Sequence, residues 1–315
     1  MASQTVQQSE AVFKQMADAL APHLPPGVTE EQVREIAADE VAKAKLPVPI
    51  EIKRAGAEPV LVEGAHQQFR ALLGLVEEGH QNLLLVGPAG SGKTTLGADL
   101  AKAMQSEFGF VSLSAGVTET HLFGRMLPQA DGTWGYVASP FVNIYRNGGV
   151  FLFDELDAAD PNVLVSVNAA LANGKLCNPI SGEVIARHER TYLLGAANTW
   201  GRGADAQYCG RNALDAATLD RFCLATVFVD YDTDLEDRLL ASLLPEDEAR
   251  TVRGWVSTLR EGITKNRLRR VASTRLVLGA AKALRAGRAL PQVQRRYFQD
   301  WSTDERRKLG AEVEA

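Results

Sequence analysis

The 315-residue chain carries 34 Lys and Arg against 39 Asp and Glu, a net charge of −5, and is 45% hydrophobic and 23% charged. This is the composition of a globular protein with a sizeable core, in one large domain or two unequal ones, and its acidic balance disfavours a dedicated nucleic-acid binder without excluding a local basic groove. There is no apolar run of membrane-spanning length and no charged start followed by an apolar stretch, so a cytoplasmic protein is expected.

At the N-terminus Phe13, Met16 and Leu20 share a helical face before Pro25-Pro26-Gly27 breaks the chain. Thr29-Glu30-Glu31-Gln32 has capping-box spacing, and Val33, Ile36, Ala37 and Val41 follow at helical period. Residues 1–48 are therefore expected to be a helical extension. Pro47 and Pro49 mark a linker into Ile50-Glu51-Ile52-Lys53, a short alternating strand. A helix with Phe69, Leu72, Leu73 and Val76 on one stripe then leads to the apolar run Asn82-Leu83-Leu84-Leu85-Val86.

Directly after that run comes Gly87-Pro88-Ala89-Gly90-Ser91-Gly92-Lys93-Thr94, followed by a helical pattern from Thr95 to Met104. Strand, glycine loop and helix in this order make a phosphate-binding loop. The glycines let backbone N–H groups turn inward around phosphate oxygens, and the helix N-terminus adds partial positive charge there. Lys93 is expected on the β- and γ-phosphates of ATP and the Thr94 hydroxyl on Mg²⁺, with Gly87 to Thr95 as the nucleotide-binding stretch.

Further strands are expected at 109–114, 149–154, 192–198 and 225–229, separated by helical patterns. Continuous apolar strands alternating with helices indicate an α/β fold, a P-loop NTPase parallel sheet sandwiched by helices. After about Asp232 the strand signals stop. Four helices are expected there, at 235–244, 246–265, 274–286 and from Pro291 to the C-terminus. This divides the chain into an extension (1–48), an α/β core (49–233) and a helical lid (234–315).

The strand at 149–154 ends in Asp154-Glu155. Strand ends at that edge of a parallel sheet face the ligand, so Asp154 is the candidate for Mg²⁺ through its water shell and Glu155 the candidate base for the attacking water. Asn198 ends the next strand, where a neutral amide can bond both the γ-phosphate and the water. Two hairpins are expected, at 127–141 around Asp131-Gly132, ahead of the strand at 149–154, and at 176–188 around Ser181-Gly182, just before the Asn198 strand. Trp134 and Tyr136 of the first are placed either to grip a polypeptide or to pack the hairpin's own base. Cys177, Cys209 and Cys223 lack metal-site spacing and read as reduced thiols, more in keeping with small buried hydrophobes than with catalysis. Lys265-Asn266-Arg267-Leu268-Arg269-Arg270 is the main basic run and suits either a phosphate backbone or a solvated helix end.

The glycine loop, the Asp154-Glu155 strand, Asn198 and Leu219-Asp220-Arg221-Phe222 resemble, in order and spacing, the AAA+ ATPases over about residues 60–290. The segments Ala197 to Asp205 and Leu214 to Phe222, with Tyr208 between, are similar to the MoxR and cobaltochelatase CobS-like branch. That resemblance implies a homo-oligomer, a hexameric ring with ATP bound between subunits. It makes Arg221 the arginine finger reaching a neighbour's site, with Arg211 a second candidate for a trans-acting arginine. Ser273-Thr274-Arg275 resembles the family's sensor 2, which puts Arg275 on the γ-phosphate, in cis or in trans. The hairpins match the branch's inserts. The implied partner is a protein with a von Willebrand A-type domain. Two other functions fit the same motifs: the ATPase subunit of a cobalt or magnesium chelatase, and a DNA-acting motor.

Overall fold

The computed structural model describes residues 50–52, 59–114 and 116–310, all within the unit Pro49–Ala315. The expected N-terminal helical extension, Lys53 and residues 311–315 lie outside the described residues.

Strands β1 (Ile50–Ile52) and β2 (Val60–Val62) form a small antiparallel pair. The central sheet contains β3 (Asn82–Val86), β4 (Phe108–Ser112), β7 (Gly149–Asp154), β10 (Thr191–Ala197) and β11 (Thr226–Phe228), in the order β11-β3-β10-β7-β4. Every neighbouring pair in it is parallel. Period-2 geometry explains why its three central strands read as unbroken apolar runs: alternate residues feed two different cores. Leu84, Val86, Phe151, Phe153 and Leu193 pack on one face with residues of the helices Pro140–Asn147 and Pro161–Asn173. Leu83, Leu85, Val150, Leu152 and Leu194 pack on the other with the helices Phe69–Glu77 and Lys93–Ala103. This is the expected P-loop α/β core.

The two hairpins form as β5 (Arg125–Pro128) with β6 (Trp134–Val137), and β8 (Lys175–Cys177) with β9 (Val184–Ala186). Both are shorter than expected. Phe141 belongs instead to the helix behind Ser139, which caps it by accepting from Val142 N–H at 3.2 Å, and Phe141 is buried in the core. Trp134 is 66% exposed, whereas the Tyr136 hydroxyl donates to Phe123 O and accepts from Asn178 Nδ2 at 2.6 Å. Tyr136 thus ties the first hairpin to the second.

The C-terminal part is helical, with helices Thr233–Leu243, Glu246–Lys265, Thr274–Arg285, Leu290–Tyr297 and Thr303–Lys308. The last two replace the single helix expected from Pro291. Phe298 and Trp301 turn inward between them, and Ser302 with Glu305 starts a new helix through a capping box. Arg270 draws this turn in: its guanidinium donates to both Glu305 oxygens, at 2.9 and 3.0 Å, and stacks over Trp301. The three cysteines are exposed rather than buried, Cys177 because it points away from the core on a strand that alternates.

Candidate functional site

Parallel order brings the chemistry to one edge. β3, β10 and β7 are neighbours, and the glycine loop, Asn198 and Asp154-Glu155 follow their C-terminal ends. Together with the start of the C-terminal helices they line a cleft of about 540 Å³. Gly92 takes φ +102° at the helix start, a left-handed conformation that strains other residues. At Gly87 a Cβ would fall 2.0 Å from Val229 O, so no side chain fits.

Lys93 is buried, and its ammonium donates to Gly87 O (2.8 Å), Pro88 O (2.9 Å) and Asn198 Oδ1 (3.0 Å). Burial lowers its pKa to about 8, against the attraction of Asp154 and Asp157. Because Asn198 accepts through Oδ1, its NH₂ group is left to donate toward the cleft. Thr94 Oγ1 donates to Asp154 Oδ2 at 3.1 Å. A hydroxyl beside a carboxylate is a hard-oxygen donor set of the kind Mg²⁺ takes. Ser91 Oγ is buried in the loop with no hydrogen-bond partner among the described residues, which suits a cradle for phosphate oxygens. Thr95, Glu155 and Arg275 also line the cleft, Arg275 from the same chain at the start of the helix Thr274–Arg285.

The structure keeps Arg221 out of this cleft. Its guanidinium donates to Asn168 O (3.1 Å) and to Ala217 O, beside the residues that open β3. β3 is five residues long, so roughly 17 Å of strand separates that end from the glycine loop. Arg211, expected as an arginine for a neighbouring subunit, instead pairs within its own chain, with NH2 3.2 Å from Glu155 Oε1 and NH1 3.5 Å from Asp157 Oδ1.

Several contributors were given no role in the site by the sequence. Tyr208 Oη accepts from Ala89 N–H at 2.9 Å, and Tyr231 Oη donates to Ala89 O at 3.1 Å, so two tyrosines grip one residue of the loop from both sides. Burial raises both hydroxyls above the ordinary tyrosine range, which keeps them protonated. Arg260 stacks on Tyr231 and makes a two-pronged bond to Glu236, which also accepts from Thr274. This chain of contacts connects the C-terminal helices to the glycine loop. Asp157 is legible only as a carboxylate three positions beyond Asp154, a weak signal. Among the described residues, no helix is long and apolar enough to cross a membrane.

Residues 82–222 match the family model of the AAA domain, dynein-related subfamily. No curated protein matches the chain. Among solved structures, NtrX from Brucella abortus in complex with ADP is 11% identical, with a TM-score of 0.48, 84% of this chain and 60% of that chain being covered. The same protein in complex with ATP is 10% identical, again with a TM-score of 0.48, over 92% of this chain and 72% of that one. The chain thus spans less than two thirds of the first of these structures, and the likeness is remote. Over residues 82–222 the chain is thus similar to AAA domains of the dynein-related subfamily, and its cleft carries the groups with which an ATPase handles ATP and Mg²⁺.

Proposed function

We propose that the chain is one subunit of a ring-forming ATPase of the MoxR and cobaltochelatase CobS-like branch, which uses hydrolysis to remodel a partner protein bearing a von Willebrand A-type domain. The motif order supports the ring, and the run Ala197 to Phe222 supports the branch. The observation that carries the reading is the position of Arg221. One chain assembles Lys93, Thr94, Asp154, Glu155 and Asn198 around its cleft, while Arg221 sits at the opposite strand ends.

Bound Mg-ATP supplies the phosphoryl group and the metal charge that polarises it. Lys93 and the loop amides would hold the β- and γ-phosphates, and Thr94 and Asp154 would hold the metal. Glu155 takes the proton of the attacking water, and the Asn198 side-chain amide orients that water. Arg275 reads the γ-phosphate from the lid. Arg221 brings a permanent positive charge to the neighbouring subunit's cleft, where charge develops on the transferred group. The exposure of Trp134 supports a role for it in contacting the partner.

Mixing Arg221→Ala with Lys93→Ala subunits tests the shared site. Each alone is inactive. In a one-to-one mixture about a quarter of the sites regain both an intact loop and a neighbour's arginine, so hydrolysis returns. A mixture that assembles and stays inactive overturns the trans assignment.

A further inference from the structure

Asp157 is completely buried, in the one-turn helix Leu156–Ala158 that directly follows Glu155. Its Oδ2 accepts from Asn198 N–H (3.1 Å), Thr199 N–H (2.9 Å) and Thr199 Oγ1 (2.9 Å). Its Oδ1 has no hydrogen bond among the described residues and faces the Arg211 guanidinium at 3.5 Å. The other prong of Arg211 donates to Glu155 Oε1. A buried carboxylate oxygen is costly without a partner, and a planar guanidinium is the one side chain that serves two carboxylates at fixed geometry. The backbone beside Arg211 is pinned as well, because Asn212 N–H donates to Asp157 O at 2.6 Å and Asn212 Nδ2 to Ala159 O at 3.1 Å. Glu155 itself holds a left-handed backbone, φ +56°, a strain that persists only where its surroundings enforce it.

We infer that Arg211 and Asp157 are positioning residues acting in cis, which lock the candidate base Glu155 and the amide residue Asn198 into one unit. Asp157 sets the main chain of Asn198 through one oxygen and the guanidinium of Arg211 through the other. Arg211 in turn sets the carboxylate of Glu155. The distance between the group that takes the water's proton and the group that orients the water is therefore set by a single buried carboxylate. Arg211 turns both of its terminal nitrogens to carboxylates of its own chain. The inference rests on the reading of Glu155 as the base.

Steady-state hydrolysis by the full-length chain, with ATP binding measured separately, tests it. Arg211→Ala lowers kcat by about 10- to 100-fold, the scale of a misplaced catalytic group, and leaves the KM for ATP within about twofold. Arg211→Lys keeps the charge without the fork and falls between that variant and wild type. Asp157→Asn costs less in the Arg211→Ala background than in the wild type, since both changes loosen the same unit. A mixture of Arg211→Ala and Glu155→Gln subunits has only the summed activity of the two proteins, because an intact site needs both residues in one chain. Recovery in that mixture overturns the inference, as does an Arg211→Ala effect confined to KM or an unchanged kcat. The Glu155→Gln protein separates the two readings. If it still hydrolyses ATP, the base assignment fails; if it is inactive while Arg211→Ala turns over normally, only the positioning role fails.

Discussion

Lys93 Nζ donates to Asn198 Oδ1 across 3.0 Å, joining the phosphate loop after β3 to the end of β10. The two residues are 105 positions apart in sequence, and parallel pairing of their strands is what makes them neighbours. Lys93 spends its remaining donors on Gly87 O and Pro88 O, so its position in the loop is set on three sides.

Burial lowers the Lys93 pKa to about 8 from an ordinary 10.5, and an anionic phosphate favours its charged form. Nucleotide affinity is therefore expected to weaken as pH rises through about 8, with proton uptake on binding at higher pH. Titration calorimetry in buffers of different ionisation enthalpy reads the uptake directly, and Lys93→Arg abolishes it. In folding the sign is opposite: the unfolded chain holds more protons between about 8 and 10.5, so this group's contribution to stability rises with pH across that window.

Thr94→Ala removes the hydroxyl that donates to Asp154 at 3.1 Å and that we propose meets Mg²⁺. The Mg²⁺ concentration needed for half-maximal hydrolysis is expected to rise by about tenfold or more, the scale seen when groups around a metal are removed. Activity measured against free Mg²⁺ at saturating ATP checks this. An unchanged Mg²⁺ dependence removes Thr94 from the metal.

Arg270 donates two hydrogen bonds to Glu305 and holds its carboxyl well down, at about 2 against an ordinary 4.5. A lowered carboxylate contributes stability above its unfolded pKa and loses it as pH falls toward the folded one. Glu305→Gln is thus expected to melt below wild type at pH 7, with the gap narrowing as pH drops from about 5 to about 3. Thermal melts of both proteins across that range decide it. A constant gap means that packing, not charge, holds the final helix.

Tyr136→Phe deletes a hydroxyl that bonds both Phe123 O and Asn178, and is expected to cost about 1 kcal/mol or more. Trp134→Ala, at an exposed position on the same hairpin, is expected to change stability by about 0.5 kcal/mol or less. Denaturant unfolding of the two variants separates the packing aromatic from the exposed one. Equal losses would place both in the hairpin base.

The strands and the glycine loop were legible because their signals are local. A run such as Gly149 to Asp154 is buried on both faces, and its apolar continuity survives in the sequence. The break between Tyr297 and Thr303 was not legible, since it depends on Phe298 and Trp301 turning inward toward a region that Arg270 reaches from far earlier in the chain. The hairpins were visible through Asp131-Gly132 and Ser181-Gly182, yet nothing local distinguishes Tyr136, which packs, from Trp134, which does not.

The sequence alone determined the chemistry carried by short motifs: the loop from Gly87 to Thr94, the carboxylates Asp154 and Glu155, the amide of Asn198 and the parallel core that presents them. Each depends on residues adjacent in the chain and on a strand or helix period, which are local properties. Tertiary structure alone decided that Arg211 turns to Glu155 and Asp157 of its own chain, that Tyr208 and Tyr231 grip Ala89, and that Arg221 lies at the far strand ends. A charged or hydroxylated side chain in a loop carries no record of its partner. The partner is set by which strand ends the sheet order brings together.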